Sequence, residues 1–301
     1  MYATSLPGSI VGPTHMPSAP RRATFAVLLL TLASACARSA ESPTGPSAVH
    51  TVASNAPQAG DPPPAPDSLG TVAALGATRY MAFGDSITCG VTGAFPMMDI
   101  SFDGVDCAQA TGGAEYPRIA RTLLQNASPR QTILLDNYGV PGEFASLAYS
   151  RFSNLMASRR PQGVLLLEGI NDLNNGRSVQ ATVSAIAAML DLAAFYNSTV
   201  LVGTMFQTCR SENPNTGRVR ENSTDLIVPY NDALRAMVSG RQNVYLVDLY
   251  AAFGTGNCLS DRGTNYLGED GLHPSPTGYT RIASTFATAV RERFAVRGSF
   301  Q

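Results

Sequence analysis

The sequence predicts a three-layer α/β/α sandwich built on a parallel sheet of five strands, and three observations lead to this fold class. From about residue 72 onward, short apolar runs alternate with longer amphipathic runs. The third apolar run, Val164–Leu167, holds no polar residue, as is typical of a central strand that is covered on both faces. Five such strand–helix alternations in one stretch favour parallel strands joined by right-handed crossovers.

The predicted elements follow one another in a regular order. The strands are Arg79–Phe83, Thr132–Asn137, Val164–Leu167, Thr199–Gly203 and Val244–Asp248. The helices are Tyr116–Gln125, Glu143–Ala157, Val179–Tyr196, Leu226–Ser239 and a last helix that ends near Phe294. Ser275-Pro276 marks the start of that last helix, because Ser is a favourable N-cap and Pro is favourable at the first helical position.

The first 36 residues predict export. Arg21-Arg22 precede an apolar run over residues 23–32, which has the length of a signal peptide and is too short for a good transmembrane helix. The run ends in Ala33-Ser34-Ala35-Cys36. This ending resembles the lipobox of bacterial lipoproteins, with Cys36 as the lipidated residue, and it also fits an ordinary A-x-A cleavage signal. We favour the lipoprotein, which would meet a membrane only through a lipid on Cys36.

Composition then changes twice along the chain. Residues 37–71 are rich in Pro, Ala, Ser and Thr and cannot bury a core, so they are predicted to form a disordered tether. Residues 72–301 are predicted to be the folded domain. An exported lipoprotein would place this domain at the bacterial cell envelope, in the periplasm or on the outer surface, whereas simple cleavage would make it a secreted protein.

Residue usage excludes several kinds of chemistry. All 21 basic residues are Arg, so a Walker phosphate loop, a Schiff-base lysine and a Ser–Lys dyad are excluded. His15 and His50 precede the predicted domain, which leaves His273 as its one imidazole and excludes a site with several His ligands. The G-x-S-x-G nucleophile elbow is absent, and a net charge of −1 offers no basic surface for nucleic acid. We expect no metal and no organic cofactor.

Polar motifs follow four of the five predicted strands. Ser86 follows the first strand, Gly142 the second, Asn171 the third and His273 the fifth. Since parallel strands bring their carboxyl ends to one edge of a sheet, these residues are expected to meet there. Each alone has an ordinary structural explanation, such as a turn glycine or a capping asparagine. Their joint placement favours a shared site.

The chemistry of these four positions is that of a serine nucleophile. In Asp270-Gly271-Leu272-His273 the carboxylate is close enough to orient the imidazole Nδ1–H, which leaves Nε2 free for Ser86. The backbone N–H groups of Ser86 and Gly142 and the side-chain amide of Asn171 can donate to a developing oxyanion. Asp85 and Asp172, beside these residues, are expected to support them.

The same blocks resemble those of the SGNH hydrolases, also called the GDSL esterase/lipase family. The matching segments are Gly84-Asp85-Ser86-Ile87, Asn137-Tyr138-Gly139-Val140-Pro141-Gly142, Gly169-Ile170-Asn171-Asp172 and Asp270-Gly271-Leu272-His273. The resemblance implies a flavodoxin-like sheet of order 2-1-3-4-5. It also implies Ser86 as nucleophile, His273 as base and Asp270 as its orienter, with Ser86, Gly142 and Asn171 forming the oxyanion hole. Gly142 is preferred to Gly139 because it stands five residues after Asn137, as in related esterases.

Four cysteines in the predicted domain suggest two disulfides, for which three pairings exist. Pairing Cys89 with Cys107 would staple the loop after Ser86. Pairing Cys209 with Cys258 would join the loop after the fourth strand to the loop before His273. Free buried thiols are the alternative.

The sequence of the loops does not determine the substrate. Residues 90–113 carry Phe95, Met97, Met98 and Phe102, which could wall an acyl pocket or simply cover the sheet edge. Arg210, Arg218 and Arg220 could meet an anionic substrate or lie on the surface. We expect an exported serine carboxylester hydrolase that acts on small acyl or acetyl esters, with carbohydrate esters among the candidates. The alternatives are a non-catalytic glycan- or surface-binding lipoprotein and an O-acyltransferase.

Overall fold

A parallel sheet of five strands forms the centre of the domain, as the computed structural model of the chain shows. The structure describes residues 74–93, 107, 115–209, 211–212, 219–220, 224–254 and 266–296. The expectations for the leader, the tether, Cys36, Cys258, Phe95, Met97, Met98, Phe102, Arg210 and Arg218 lie outside these residues. The side chain of Arg220 also lies outside what the structure describes.

Strands and helices alternate along most of the described chain. The strands are β1 (Arg79–Gly84), β2 (Leu134–Gly139), β3 (Gly163–Leu167), β4 (Thr199–Gly203), β5 (Ser211–Glu212), β6 (Val219–Arg220) and β7 (Val244–Val247). The helices are α1 (Ser86–Cys89), α2 (Tyr116–Ala127), α3 (Ala145–Arg159), α4 (Ile170–Asn174), α5 (Val179–Phe195), α6 (Thr224–Val238), α7 (Leu249–Phe253) and α8 (Pro276–Phe294).

The strand order of the large sheet is β2-β1-β3-β4-β7, and every neighbouring pair is parallel. Counted within this sheet alone, the order is the expected 2-1-3-4-5. In register, Gly84 of β1 lies beside Gly139 of β2 on one side and Leu167 of β3 on the other. The segments that follow β1, β2 and β3 therefore leave the same edge of the sheet side by side.

Helices cover both faces of this sheet. On one face α2 packs against α8, where Tyr116 stacks on Phe286 with ring centroids 5.3 Å apart. On the other face α3 packs against α5 and α5 against α6, and Phe152 of α3 meets Phe83 of β1 edge-on at 4.9 Å. All five residues of β3 are buried, which accounts for its wholly apolar sequence.

The structure departs from the sequence-based elements at α3, which was expected at Glu143–Ala157 and lies at Ala145–Arg159, and at β2. The strand was expected at Thr132–Asn137 and lies at Leu134–Gly139. Its start is delayed because the Ile133 N–H donates to the Gln125 side chain at 3.0 Å rather than to a strand. The short helices α1, α4 and α7 were not expected, since four or five residues are too few to show a helical periodicity.

Candidate active site

Ser86 is the first residue of α1, immediately after β1. The Asp85 side chain caps this single turn, because its Oδ1 accepts from the Ile87 N–H at 2.8 Å. A residue at the first helical position has no acceptor for its N–H within the helix, so the Ser86 N–H is available to a ligand. The turn thus presents a hydroxyl and a backbone donor on the same residue.

Close packing fixes where this turn sits. A Cβ on Gly84 would collide with the Thr88 side chain and with the carbonyl oxygen of Leu167 in β3. A Cβ on Gly139 would collide with the backbone of Thr88 and Cys89 in α1. Glycine at both positions therefore lets α1 lie directly against the ends of β2 and β3.

The His273 ring lies between Ser86 and Asp270. Nε2 of His273 is 2.9 Å from Ser86 Oγ, and Nδ1 is 2.6 Å from Asp270 Oδ2. With Asp270 ionised, Nδ1 keeps its proton and donates a hydrogen bond to the carboxylate, which leaves Nε2 to accept one from the serine hydroxyl. All three residues are buried, so water competes little with these two hydrogen bonds.

Hydrogen bonds within residues 270–273 stabilise the turn that carries His273. Asp270 Oδ1 accepts from the N–H groups of Leu272 at 3.0 Å and His273 at 2.9 Å. Burial by itself would raise the pKa of Asp270, but the hydrogen bond and charge of His273 and these two N–H donors outweigh it and lower the pKa. Asp270 is therefore held in its ionised form.

A backbone hydrogen bond from Cys209 also stabilises this turn. The Cys209 N–H donates to the carbonyl of Gly271 at 2.7 Å, and Gly271 adopts the left-handed conformation with φ of 64°. Cys209 is disulfide-bonded. Cys258, the partner expected for it, lies outside the described residues. The expected Cys89–Cys107 disulfide is present and joins α1 to residue 107.

The two glycines of this segment, Gly139 and Gly142, differ in the hydrogen bonding of their backbone N–H groups. The N–H of Gly139 already donates to Asn137 Oδ1 at 2.9 Å. Among the described residues, none accepts from the N–H of Gly142, which is exposed and has φ of 77°. A Cβ on Gly142 would have no described atom within 4 Å, so the described residues do not crowd this position.

Asn171 and Asp172 connect β3 to the segment that carries Gly142. The Asn171 Nδ2 group donates to the carbonyl of Glu143 at 2.9 Å and lies 3.4 Å from Asp85 Oδ2. Asp172 accepts from the N–H groups of Ala145 at 2.7 Å and Ser146 at 3.3 Å, at the start of α3. These contacts place Asn171 beside Asp85 and beside Glu143, the residue that follows Gly142.

A buried acidic cluster beneath the site was not expected from the sequence. It consists of Asp85, Glu143 and Glu168, with Arg151 beside it. Burial raises the pKa of Asp85 to about 7, although the Ile87 N–H and His273 favour its charged form. Burial, with Asp85 and Glu143 nearby, raises the pKa of Glu168 well above its usual range. The one signal in the sequence was an acidic residue directly after the apolar strand Val164–Leu167.

Two further observations bear on ligands and membranes. In the part of the chain that the structure describes, no three His, Cys, Asp or Glu side chains gather as metal ligands would. Within the same residues, every helix is too short or too polar to span a bilayer.

Comparison with known proteins identifies the family of the chain. Residues 82–281 match the GDSL-like Lipase/Acylhydrolase family, and the chain therefore belongs to that family. Membership makes the protein a carboxylic ester hydrolase. No curated protein matches the chain.

Several solved structures share the fold. A putative lipolytic protein of the G-D-S-L family from Desulfitobacterium hafniense DCB-2 is 17% identical, with a TM-score of 0.52 over 70% of this chain and 98% of its own. LAE5, an alpha/beta hydrolase from the metagenome of Lake Arreo in Spain, is 20% identical, with a TM-score of 0.53 over 72% and 96%. Axe2, an acetylxylan esterase from Geobacillus stearothermophilus, is 20% identical, with a TM-score of 0.52 over 72% and 95%.

Proposed function

We propose that the protein is an exported serine carboxylester hydrolase in which Ser86, His273 and Asp270 act as a catalytic triad. The observation that carries this proposal is the unbroken hydrogen-bond chain from Ser86 Oγ through the His273 ring to Asp270. A scaffold used only for binding would have no need for a buried, correctly ordered nucleophile, base and carboxylate. These hydrogen bonds between Ser86, His273 and Asp270 therefore weigh against a protein that only binds its ligand.

The proposed cycle is acyl transfer through a serine ester. His273 Nε2 takes the hydroxyl proton as Ser86 Oγ attacks the ester carbonyl, and the oxyanion is bound by the N–H groups of Ser86 and Gly142 and by the Asn171 amide. His273 then gives the proton to the leaving alcohol, and an acyl-Ser86 intermediate remains. Water, activated by the same imidazole, releases the acid and regenerates the serine.

For the substrate we propose small acyl esters, in particular acetyl esters of a carbohydrate. The described residues leave the approach to the Gly142 N–H uncrowded, with no atom within 4 Å of a Cβ at that position. The fold is shared with Axe2, which is described as an acetylxylan esterase. An O-acyltransferase would use the same intermediate with a sugar hydroxyl in place of water, so acceptor sugars belong in the assay.

The test is hydrolysis of p-nitrophenyl esters from acetate to decanoate by the wild type and by Ser86→Ala. We expect the acetate to be turned over and the Ser86→Ala rate to fall by several orders of magnitude. Ser158→Ala is a matched control, since Ser158 is an exposed serine on α3 and should retain full activity. Equal rates for wild type and Ser86→Ala would overturn the triad, and acetyl transfer to an added sugar in preference to water would favour the transferase.

Export and lipid anchoring at Cys36 are part of the proposal. Their support is the leader sequence, together with disulfides, which persist in oxidising compartments. Fractionation of cells that express the full chain tests both. The wild type should be found with membranes and Cys36→Ser should be released from them, and a Cys36→Ser protein that stays with the membrane would count against the anchor.

A further inference from the structure

We propose that Arg151 is a positioning residue for the oxyanion hole and that it acts on Asn171 and Gly142 through Glu143. The inference rests on the proposed serine mechanism and adds to it two residues, Arg151 and Glu143, that lie outside the four family blocks. Neither is placed to touch the reacting atoms.

Arg151 ties together three segments that end beside the nucleophile. Its side chain lies on the second turn of α3 and points back toward the sheet. The guanidinium donates to the carbonyl of Tyr138 in β2 at 2.8 Å and lies 3.4 Å from the carbonyl of Gly84 in β1. Its remaining donors hold the Glu143 carboxylate, with Nε to Oε1 at 2.8 Å and Nη2 to Oε2. One planar group therefore fixes the ends of β1 and β2 and the segment after β2.

The position of the guanidinium is itself determined by packing. Its central carbon lies 3.9 Å from the centroid of the Phe83 ring, and Phe83 is fully buried. The Arg151 side chain is 26% exposed and the Glu143 side chain 12%. A paired guanidinium that stacks on an aromatic ring and grips a carboxylate with two nitrogens has little freedom to move.

Glu143 passes this constraint on to both proposed oxyanion donors. It directly follows Gly142 in the chain, so a fixed Glu143 limits where the Gly142 N–H can point. Its own carbonyl accepts from Asn171 Nδ2 at 2.9 Å, which sets the orientation of the Asn171 amide. Arg151 therefore restrains the Glu143 side chain, and through it the backbone that positions both donors.

Glu168 lies near the same carboxylate and directly follows β3. It is buried, and burial together with the nearby Asp85 and Glu143 raises its pKa well above the usual range. Its Oε2 accepts from the Gly169 N–H at 3.2 Å, and its Oε1 has no partner among the described residues. A carboxyl group with a raised pKa keeps its proton to a higher pH, so Glu168 adds less negative charge beside the Arg151–Glu143 pair than an ordinary carboxylate would.

The prediction is a loss of transition-state stabilisation without a comparable loss of binding. Lys at position 151 keeps the positive charge but cannot hold two carboxylate oxygens and two carbonyls in one plane. A donor that is displaced by a fraction of an ångström binds the oxyanion less well while the ground-state ester is affected little. We expect Arg151→Lys to lower kcat by about 10- to 100-fold and to leave KM within about threefold.

A double-mutant cycle between Arg151→Lys and Asn171→Ala separates positioning from general stability. Asn171→Ala alone should cost about 10²- to 10³-fold in kcat. If Arg151 acts through the Asn171 amide, Arg151→Lys should cost much less in the Asn171→Ala background than in the wild type. Equal costs in the two backgrounds, or an unchanged kcat for Arg151→Lys, would overturn the inference.

Two further variants keep the test interpretable. Arg159→Lys is the matched control, because Arg159 is an exposed arginine on the same helix whose guanidinium lies 5.8 Å from the Tyr138 ring centroid. It should behave as wild type. Glu143→Gln keeps the shape of the side chain but weakens the grip of Arg151, and it should reproduce the kcat loss with little loss of thermal stability. A Glu143→Gln enzyme with wild-type kcat would contradict the proposed route.

The proposed function and this inference fail in different ways. If no ester is hydrolysed in a Ser86-dependent manner, the failure is visible in the wild type before Arg151 is changed. If the wild type is active and the cycle is additive, the triad stands and the positioning role of Arg151 does not.

Discussion

Gly139 and Gly142 stand three residues apart, yet they are glycines for different reasons. At Gly139 a side chain would collide with the backbone of α1, which carries Ser86. At Gly142 there is room for a side chain, but φ of 77° disfavours any residue with a Cβ. The first glycine is required by packing and the second by backbone conformation.

Substituting each glycine by Ala should therefore give different results. Gly142→Ala should destabilise the fold by about 1–2 kcal/mol, the cost of a left-handed residue. Gly139→Ala should cost more and should also slow labelling of Ser86 by a fluorophosphonate, because α1 must move. Urea unfolding and labelling rates measure the two effects. Equal losses of stability in the two variants would contradict the packing argument.

Glu168 gives a pH-dependent prediction at the same scale. Because its pKa is raised in the folded state, the folded protein keeps a proton that the unfolded chain releases above about pH 4.3. This contribution to stability is complete below that pH and is lost as the pH rises toward the folded pKa, by about 1.4 kcal/mol per pH unit. Glu168→Gln has no such proton to lose.

Stability of the two proteins should consequently diverge with pH. Between pH 5 and pH 7 the free energy of unfolding should fall more steeply for the wild type than for Glu168→Gln. Chemical denaturation at several pH values measures both slopes. Glu292→Gln, at an exposed position on α8, should keep the wild-type slope. Parallel slopes for wild type and Glu168→Gln would show that Glu168 ionises normally.

Some residues of the candidate site could be predicted from the sequence alone, and others could not. The sequence could propose site residues at four positions because each stands in a short motif whose residues are adjacent in the chain: Ser86, Asn171, Asp270 and His273. Arg151 and Glu168 could not, since their partners come from other strands and helices and no local spacing records those contacts. The preference for Gly142 over Gly139 depended on the resemblance to related esterases, and the hydrogen bond from Gly139 to Asn137 now supplies a physical reason for it.

Among the elements, α3 has a start that depends on another part of the chain. Its N-cap residue, Phe144, has no side chain that can accept a hydrogen bond. The carboxylate of Asp172, in α4, accepts from Ala145 and Ser146 instead. A negative group at this position also interacts favourably with the helix dipole. The start of α3, expected at Glu143, was therefore misplaced by two residues because its cap is not local.

Removing this cap should destabilise the domain. Asp172→Ala leaves the N–H groups of Ala145 and Ser146 without this acceptor, and we expect a loss of about 1–2 kcal/mol in the free energy of unfolding. Asp225→Ala is the comparison, since Asp225 lies exposed in the first turn of α6 and should change stability by less than about 0.5 kcal/mol. Urea denaturation measures both. Similar values for the two variants would contradict the capping role.

Element existence and order were predictable, because long apolar and amphipathic runs carry a periodic signal. All five strands of the large sheet and all five long helices lie where the patterns place them, within about two residues at most ends. The single-turn helices after β1, β3 and β7 carry no such signal. Two of them, α1 and α4, contain proposed site residues, so the local geometry of the site depended on the structure.

For the whole molecule, the Cys89–Cys107 disulfide links the turn that carries Ser86 to residue 107. The two residues are 18 apart in sequence, and both are buried beside Val91. Closing a loop of this size stabilises a fold by about 3 kcal/mol in the chain-entropy estimate. Cys107→Ser should lose about that much, measured by urea denaturation under non-reducing conditions.

A reducing agent provides the control for this prediction. It should destabilise the wild type by at least as much as Cys107→Ser does, because it opens the same bond. Any further loss that reduction causes in Cys89→Ser/Cys107→Ser would report the disulfide of Cys209. A Cys107→Ser protein as stable as the oxidised wild type would show that the bond contributes nothing to folding.

The hydrogen bond between Ser86 and His273 spans 187 positions of the chain. Contacts between such distant segments form late, because the loop they close is long and α8 must first dock on α2. Recovery of esterase activity after dilution from urea would then lag behind the recovery of helical signal. Esterase activity would therefore report when the two ends of the domain have come together, which the signal from local helices does not reveal.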